Sequence, residues 1–277
     1  MFNKLECIVL DLDKSLLSKD GRISERDILT INKLIENGIY VFLATGRHFN
    51  VAKYYGYLLK LKTPIICADG SMIYDIYRNT LIYCDCLNNE QGKLIWEWIQ
   101  HNSRHKYNIY TDKRLVGNTI EFIDLYWHEA MYKDKSLLQD SVIMDSSFVE
   151  VVDERIIKVV LYDWTEEVID DLERIFNDFE DIEIKAEDKF TLEIKKPNNS
   201  KYTAVKDMSR YYGFSLMNTL ALGDNQNDFD LLRGVGWPIV PESAEFKYKR
   251  LAKFITSNSN NSPLTKCIKS LFPQYFM

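Results

Sequence analysis

The apolar residues at the start of the chain form two kinds of pattern, continuous runs and spaced runs. Residues 6–12 are a short apolar run that ends in carboxylates, which is typical of a buried parallel strand with polar groups at its tip. Residues 24–37 instead place their apolar side chains on one helical face, with Ser24 as a capping residue and Gly38 just beyond the end. A second apolar run, residues 39–44, follows at once.

This alternation continues with a spaced apolar pattern at 51–59 and a continuous run at 64–67. The order strand, helix, strand, helix, strand is typical of a doubly wound α/β sheet. The sequence therefore predicts an α/β fold with a doubly wound parallel sheet, which is a Rossmann-like core.

The pattern changes after residue 83. The next segment has longer polar stretches, and its apolar residues predict a helix at 166–176 and strands at 156–162, 182–184 and 190–194. The last two strands have the spacing of a hairpin. We therefore predict an inserted α+β cap domain at residues 84–196.

The chain returns to the core at Pro197, where the sequence Asn-Asn-Ser at 198–200 predicts a turn. A helix is predicted at 201–213, and three short apolar runs complete the sheet, at 219–222, 238–240 and 254–256. The Rossmann-like catalytic core is thus predicted to comprise residues 1–83 and 197–277.

Composition and charge narrow the class of protein. The chain has 277 residues, of which 46 % are hydrophobic, and this fits a globular protein with two domains. No apolar stretch approaches the roughly 18 residues that span a bilayer, and the start lacks a basic region followed by an apolar run. The net charge of −6 and the scattered lysines and arginines argue against a nucleic-acid partner. We expect a cytoplasmic protein with no membrane or nucleic-acid partner, and the sequence gives no indication of its oligomeric state.

Acidic and neutral polar residues follow several of the predicted strands, and a lysine begins a nearby helix. In open parallel sheets, ligands bind at this edge, where the strands end. The residues are Asp11 and Asp13 after the first strand, Thr45 and Gly46 after the second, Asp224, Asn225, Asn227 and Asp228 after the strand at 219–222, and Lys201 at the start of a helix. Each of them alone is common on protein surfaces. Their joint occurrence at strand ends predicts one site.

This set supplies what phosphoryl transfer needs, namely an oxygen nucleophile, charge neutralisation and a proton for the leaving oxygen. Asp11 is the candidate nucleophile, and Mg²⁺ held by Asp11 and Asp224 would screen its charge. Asp13 lies where the strand turns into a loop, so its carboxyl can act as general acid and base while its backbone carbonyl binds the metal. The groups able to hold the phosphoryl oxygens are Thr45, Lys201 and the backbone N–H groups of Gly46 and Leu12.

Four motifs resemble those of the haloacid-dehalogenase-like superfamily, specifically its Cof-type sugar-phosphatase branch. They are DLDKSLL at 11–17, ATGR at 44–47, LEI at 192–194 followed by Lys201, and GDNQND at 223–228. The resemblance covers almost the whole chain, and residues 84–196 look like the larger α/β cap of that family.

The resemblance implies a magnesium-dependent phosphatase that hydrolyses small phosphorylated metabolites, such as sugar phosphates, through an aspartyl-phosphate on Asp11. It implies that Asp13 is the acid/base. It further implies that Mg²⁺ is bound by Asp11, the carbonyl of Asp13 and Asp224, with support from Asp228. The phosphate contacts that it implies are Leu12, Thr45, Gly46, Lys201 and Asn227.

Two positions depart from the family pattern. Lys14-Ser15 stands where Gly-Thr is usual, and Asp69-Gly70 stands where Asn-Gly is common. Two alternatives remain open: a phosphomutase, and a catalytically weak sensor of phosphorylated metabolites, which Lys14 and Asp69 suggest. A receiver domain also pairs an Asp with Mg²⁺, but it would be much shorter and has no need of a cap.

Overall fold

The computed structural model describes residues 4–102, 104–118, 142–144, 154–186 and 190–276. Its strands are β1 (Cys7–Leu10), β2 (Tyr40–Leu43), β3 (Ile65–Cys67), β4 (Met72–Asp75), β5 (Thr80–Cys84), β6 (Lys106–Thr111), β7 (Leu115–Gly117), β8 (Val142–Met144), β9 (Ile156–Tyr162), β10 (Glu183–Ala186), β11 (Thr191–Lys195), β12 (Thr219–Leu222), β13 (Trp237–Pro241) and β14 (Phe254–Thr256). Its helices are α1 (Glu25–Glu36), α2 (Phe49–Leu58), α3 (Asn89–His101), α4 (Glu166–Ile175), α5 (Lys201–Tyr212), α6 (Phe229–Gly234), α7 (Phe246–Lys249) and α8 (Pro263–Leu271). Within these ranges, no helix combines the length and the apolar character that a membrane crossing requires.

Five strands form a wholly parallel sheet in the order β14–β13–β12–β1–β2. Every residue of β1 and β12 is buried, because the two faces of the sheet pack into separate apolar clusters. Ser24 caps α1 by accepting a hydrogen bond from the backbone N–H of Asp27, as the sequence predicts. The predicted α/β class with a doubly wound parallel sheet is confirmed.

The third predicted strand, β3, has a different neighbourhood from the one expected. It pairs antiparallel with β4, and β4 pairs with β5, so that the three strands form a small sheet of their own. A single parallel bridge between Ala44 and Ile66 joins β3 to the end of β2. The hairpin of β4 and β5 was not predicted, because β5 is largely exposed and lacks a clear alternation of buried and exposed residues.

A second large sheet, in the order β10–β11–β9–β6–β7–β8, is formed by residues 106–195. Its neighbouring strands are antiparallel except for the parallel pair β7 and β8. The predicted hairpin at 182–184 and 190–194 is the β10–β11 pair, and β9 has the predicted bounds. This separate sheet fits the predicted α+β insertion.

The two faces of this second sheet differ in chemistry. One face packs on α3 and α4 and is apolar; its residues include Ile109, Val159, Leu161, Leu192 and Ile194. Side chains alternate along a strand, so the intervening residues of β6, β9 and β11 point the other way. They include Tyr110, Lys158, Val160, Thr191 and Glu193, and four of these five, all but Tyr110, line a cavity that they share with the end of β1. A polar sheet face therefore covers the edge of the parallel sheet.

His48 connects the start of α2 to the end of β6 in the second sheet. It caps α2 by accepting a hydrogen bond from the N–H of Asn50, and its Nε2 lies 2.9 Å from the backbone oxygen of Thr111, at the end of β6. The side-chain amide of Asn50 donates to the backbone oxygen of Lys113 at 2.8 Å. The His48 ring is only 1 % exposed, and this burial lowers its pKa to about 4.

We predict that His48 makes the protein less stable in mild acid. The unfolded chain binds a proton on this histidine near pH 6.5, whereas the folded protein does not until about pH 4. Between these values the unfolded state binds more protons, so the free energy of unfolding falls as the pH falls. The loss between pH 7.5 and pH 5 is about 2 kcal/mol for this one group.

His48→Asn retains a capping oxygen but removes the titrating ring. Urea unfolding at pH 7.5 and pH 5 should show a smaller acid-induced loss of stability in the variant than in the wild type. An equal loss in both proteins would contradict the role of His48.

Candidate active site

Asp11 lies immediately after β1, where the parallel sheet ends. Its backbone N–H donates to the carbonyl of Leu222 at 3.0 Å, which fixes it beside the end of β12. The carboxylate is almost fully buried, and its Oδ1 accepts a hydrogen bond from Lys201 Nζ at 2.6 Å. The sheet topology thus brings together two residues that are 190 positions apart in the chain.

Lys201 is the first residue of α5 and is completely buried. Besides Asp11, its Nζ donates to Asp228 Oδ1 at 2.7 Å. The helix start is held close to the turn after β3, because a Cβ on Gly70 would lie 2.3 Å from the carbonyl oxygen of Ser200. Gly70 has φ +97°, so a residue with a side chain would be strained there in any case.

A cluster of carboxylates surrounds this lysine. Ligand oxygens of Asp11, Asp224 and Asp228 lie within 4.8 Å of one another, the one such acidic group of three in the described part of the chain. Asp224 accepts a hydrogen bond from Ser15 Oγ at 2.8 Å. Asp228 Oδ2 accepts from the backbone N–H groups of Asp224 and Asn225, at 2.9 and 3.1 Å, so this carboxylate also shapes the loop that follows β12.

The charges in this cluster do not balance. Burial raises the pKa of Asp11 well above its usual range, Lys201 opposes that rise, and Asp228 adds to it. Burial and the charge of Asp228 likewise raise the pKa of Asp224 to about 6. Burial would lower the pKa of Lys201, but Asp11 and Asp228 raise it, so it stays an ammonium. One ammonium cannot neutralise three buried carboxylates, and a divalent cation would supply the missing charge.

Asp13 is positioned by Arg47, which was not among the predicted site residues. Arg47 Nε donates to Asp13 Oδ2 at 2.8 Å, and a second guanidinium nitrogen contacts Asp13 Oδ1. Arg47 is 1 % exposed, whereas the Asp13 side chain is 44 % exposed. A buried, bidentate arginine therefore orients a carboxylate that remains accessible from the cavity.

The predicted phosphate-binding residues lie around the same sheet edge. Thr45 is buried, and its Oγ1 accepts from the backbone N–H of Arg47 at 3.2 Å. The carbonyl of Leu12 accepts from the N–H groups of Leu16 and Leu17, which turns the chain sharply after Asp11. Gly46 lines the cavity.

Asn227, the last of these residues, is engaged with the turn after β3. Its Nδ2 donates to Asp69 Oδ1 at 2.8 Å. Asp69 also accepts a hydrogen bond from Lys158 Nζ at 2.8 Å, and Lys158 donates to Glu193 Oε1 at 2.6 Å. Lys158 and Glu193 belong to the second sheet, and neither was among the predicted site residues.

These residues enclose a cavity of about 210 Å³. The end of the parallel sheet supplies one side, with Asp11, Asp13, Lys14, Gly46, Arg47, Asp69, Asp224, Asn225 and Asn227; the second sheet supplies the other, with Lys158, Val160, Thr191 and Glu193. Lys14 has a left-handed backbone, φ +59°, which explains why glycine suits this position. Asp11 and Asp13 thus share one half-open cavity with residues of both sheets.

The family model for haloacid dehalogenase-like hydrolases matches residues 8–268, so this chain belongs to that family. A 5-amino-6-(5-phospho-D-ribitylamino)uracil phosphatase of Bacillus subtilis is 25 % identical over 288 residues, covering 96 % of this chain and 98 % of the relative. The family resemblance in the motifs is confirmed.

Two solved structures share the fold. A haloacid dehalogenase-like hydrolase from Bacteroides thetaiotaomicron has a TM-score of 0.80 at 20 % identity, covering 97 % of this chain and 100 % of the other. A sugar phosphatase described as HAD subclass IIB has a TM-score of 0.73 at 17 % identity, with coverage of 96 % and 98 %. At these identities the likeness concerns the fold, including the second sheet.

Replacing Lys201 by methionine should destabilise the protein even without substrate or metal. The change leaves Asp11 and Asp228 buried without their cation, and we expect a loss of about 3–5 kcal/mol in the free energy of unfolding. Urea unfolding in the presence of a chelator measures it.

Two comparisons sharpen this test. Lys206→Met changes an exposed lysine of the same helix and should alter stability little. Adding Asp228→Asn to Lys201→Met should restore part of the loss, because one uncompensated charge disappears. Equal stability of Lys201→Met and the wild type would show that the cluster is not held by this ion pair.

Proposed function

We propose that this protein is a magnesium-dependent phosphatase that hydrolyses small phosphate monoesters through an aspartyl-phosphate on Asp11. The observation that carries the proposal is the joint position of Asp11 and Asp13 in one cavity, with Lys201 bound to Asp11. Family membership and the names of the relatives support a phosphoric monoester hydrolase.

The chain's own residues fit Mg²⁺. Carboxylate oxygens are the ligands that this ion prefers, and the pKa values of Asp11 and Asp224 are raised by burial and, to a lesser degree, by repulsion from the neighbouring carboxylate of Asp228. We propose that Asp11, the carbonyl of Asp13 and Asp224 would hold the ion, with Asp228 supporting the loop behind them. When bound, Mg²⁺ supplies the positive charge that allows a phosphate dianion to approach Asp11.

In the first step, a carboxylate oxygen of Asp11 attacks phosphorus, and the bond from phosphorus to the ester oxygen breaks. Asp13 in its protonated form gives its proton to that leaving oxygen, so the alcohol departs neutral. The bidentate contact with Arg47 in this structure is that of the Asp13 carboxylate, so Asp13 leaves Arg47 when it carries the proton and faces the leaving oxygen.

In the second step, Asp13 is a carboxylate and takes a proton from water. The resulting hydroxide oxygen attacks phosphorus, the bond to Asp11 breaks, and inorganic phosphate leaves. Asp13 is then protonated again, so that protons balance over the cycle.

The phosphoryl oxygens are proposed to bind Thr45, Gly46, Leu12 N–H, Lys201 and Asn227. We propose that the core of residues 1–83 and 197–277 carries this chemistry, while the cap of residues 84–196 closes the cavity and excludes water. The polar face of the second sheet includes Thr191 and Glu193, which line the cavity. This polar lining favours a substrate whose leaving group carries hydroxyl or amine groups, as in a sugar phosphate.

Asp11→Asn should abolish hydrolysis, because the amide is not a nucleophile at phosphorus. We expect a loss of at least about a thousandfold in kcat with p-nitrophenyl phosphate and Mg²⁺, measured by release of p-nitrophenol. Asp170→Asn, a change on the exposed surface of α4, should retain full activity.

A wild-type protein that releases no phosphate above the Asp11→Asn background, with any divalent ion and a panel of sugar phosphates, would refute the proposal. Hydrolysis in ¹⁸O-labelled water separates a phosphatase from a phosphomutase. A phosphatase incorporates the label into inorganic phosphate, whereas a mutase returns the phosphoryl group to an organic product.

Ser15→Ala should weaken Mg²⁺ binding by about 10–100-fold, because Ser15 orients Asp224 through a 2.8 Å hydrogen bond. Titration calorimetry with MgCl₂ and no substrate measures this directly. Ser209→Ala, which removes an exposed hydroxyl on α5, is the matched control. Unchanged affinity in Ser15→Ala would argue against Asp224 as a ligand.

A further inference from the structure

Asp69 lies in the turn after β3 and has an unusual backbone conformation. It has φ +54° and ψ +33°, the left-handed region, and its N–H donates to the carbonyl of Thr45 at 3.1 Å. A Cβ placed on Gly46 would lie 3.1 Å from either of its carboxylate oxygens. The carboxylate of Asp69 is therefore packed directly against the proposed phosphate-binding turn.

The two oxygens of the Asp69 carboxylate accept hydrogen bonds from two different parts of the molecule. Oδ1 accepts from Asn227 Nδ2, in the loop after β12, and Oδ2 accepts from Lys158 Nζ, in β9 of the second sheet, both at 2.8 Å. A carboxylate accepts both bonds at once. An asparagine here would turn its NH2 group, which is a donor, towards either Asn227 Nδ2 or Lys158 Nζ, and it would lose one of the two bonds.

Lys158 is charged although it is buried. Its side chain is 2 % exposed; burial would lower its pKa, but Asp69 and Glu193 raise it well above the usual range. Burial would raise the pKa of Asp69, but Lys158 and Lys195 keep it well below its usual range. The Lys158 ammonium also lies 4.8 Å from the ring centre of Tyr110. The pair is thus a charged contact, shielded from water, between the two sheets.

We propose that Asp69 and Lys158 are positioning residues. Their ion pair holds the second sheet over Asp11 and at the same time orients the side-chain amide of Asn227. The proposal rests on the phosphatase function given above. Asp69 is the departure from the family's Asn-Gly pattern, and its second oxygen is what links the turn to Lys158. Breaking the pair lowers the fraction of molecules in the closed, binding-competent arrangement while leaving Asp11, Asp13 and Lys201 in place.

The kinetic test uses Asp69→Asn, Lys158→Met and the double variant with a sugar phosphate and Mg²⁺. Asp69→Asn should raise KM about tenfold and change kcat less than about twofold, because the closed complex retains its chemistry. Lys158→Met should lower kcat/KM about a hundredfold, since it leaves the Asp69 carboxylate without its cation beside the incoming phosphate. The double variant should regain about tenfold of that loss, because it removes both charges.

Arg155→Gln is the matched control, since it removes an exposed ion pair with Asp112 that does not face the cavity. It should leave both KM and kcat unchanged. A Lys158→Met defect that the second substitution fails to relieve, or an Asp69→Asn defect in kcat alone, would overturn the proposal.

Small-angle X-ray scattering without substrate separates this inference from the proposed function. The wild type should match the closed arrangement, and Lys158→Met should have a larger radius of gyration. An unchanged radius in Lys158→Met would overturn the positioning role even if the enzyme is active. An expanded Lys158→Met in a protein that hydrolyses no phosphate ester would instead support the contact and refute the phosphatase.

Discussion

The ammonium of Lys201 is the interaction on which the rest of the site depends. It binds Asp11, at the end of the first strand, and Asp228, in the last third of the chain. Three carboxylates gathered at one sheet edge repel one another and resist burial, so the cluster cannot form without a cation inside it. Because Lys201 is the first residue of α5, the position of that helix is tied to the site.

The opposite side of the cavity repeats this arrangement. Lys158 lies between Asp69 and Glu193, as Lys201 lies between Asp11 and Asp228. The difference is in the surplus charge. Around Lys201 a third carboxylate, Asp224, leaves the cluster negative, which favours a metal ion, whereas Asp69 and Glu193 are balanced by two lysines, because Lys195 Nζ lies 3.4 Å from Glu193 Oε2. The proposed metal ion therefore lies on the Lys201 side of the cavity, and the proposed organic part of the substrate lies on the Lys158 side.

The sequence predicted those features that depend on local pattern. The parallel strands, the cap of α1 and the gathering of polar residues at strand ends follow from periodicity and from where carboxylates interrupt apolar runs. The contacts of Arg47 with Asp13 and of Lys158 with Asp69 could not be predicted in this manner, because they join elements 34 and 89 positions apart. One sign was available: Lys158 is the lone charge in the apolar run IIKVVLY, and a lysine buried in a strand needs a partner.

The most direct measurement of the central claim is peptide mapping by mass spectrometry after acid quenching of the enzyme during turnover of a phosphate ester with Mg²⁺. A phosphoryl group on the peptide that contains Asp11, assigned to that residue by fragmentation and absent without substrate, is the expected result. Steady hydrolysis with no phosphoryl group on Asp11, or with the group on another residue, would contradict the assignment of Asp11 as the nucleophile.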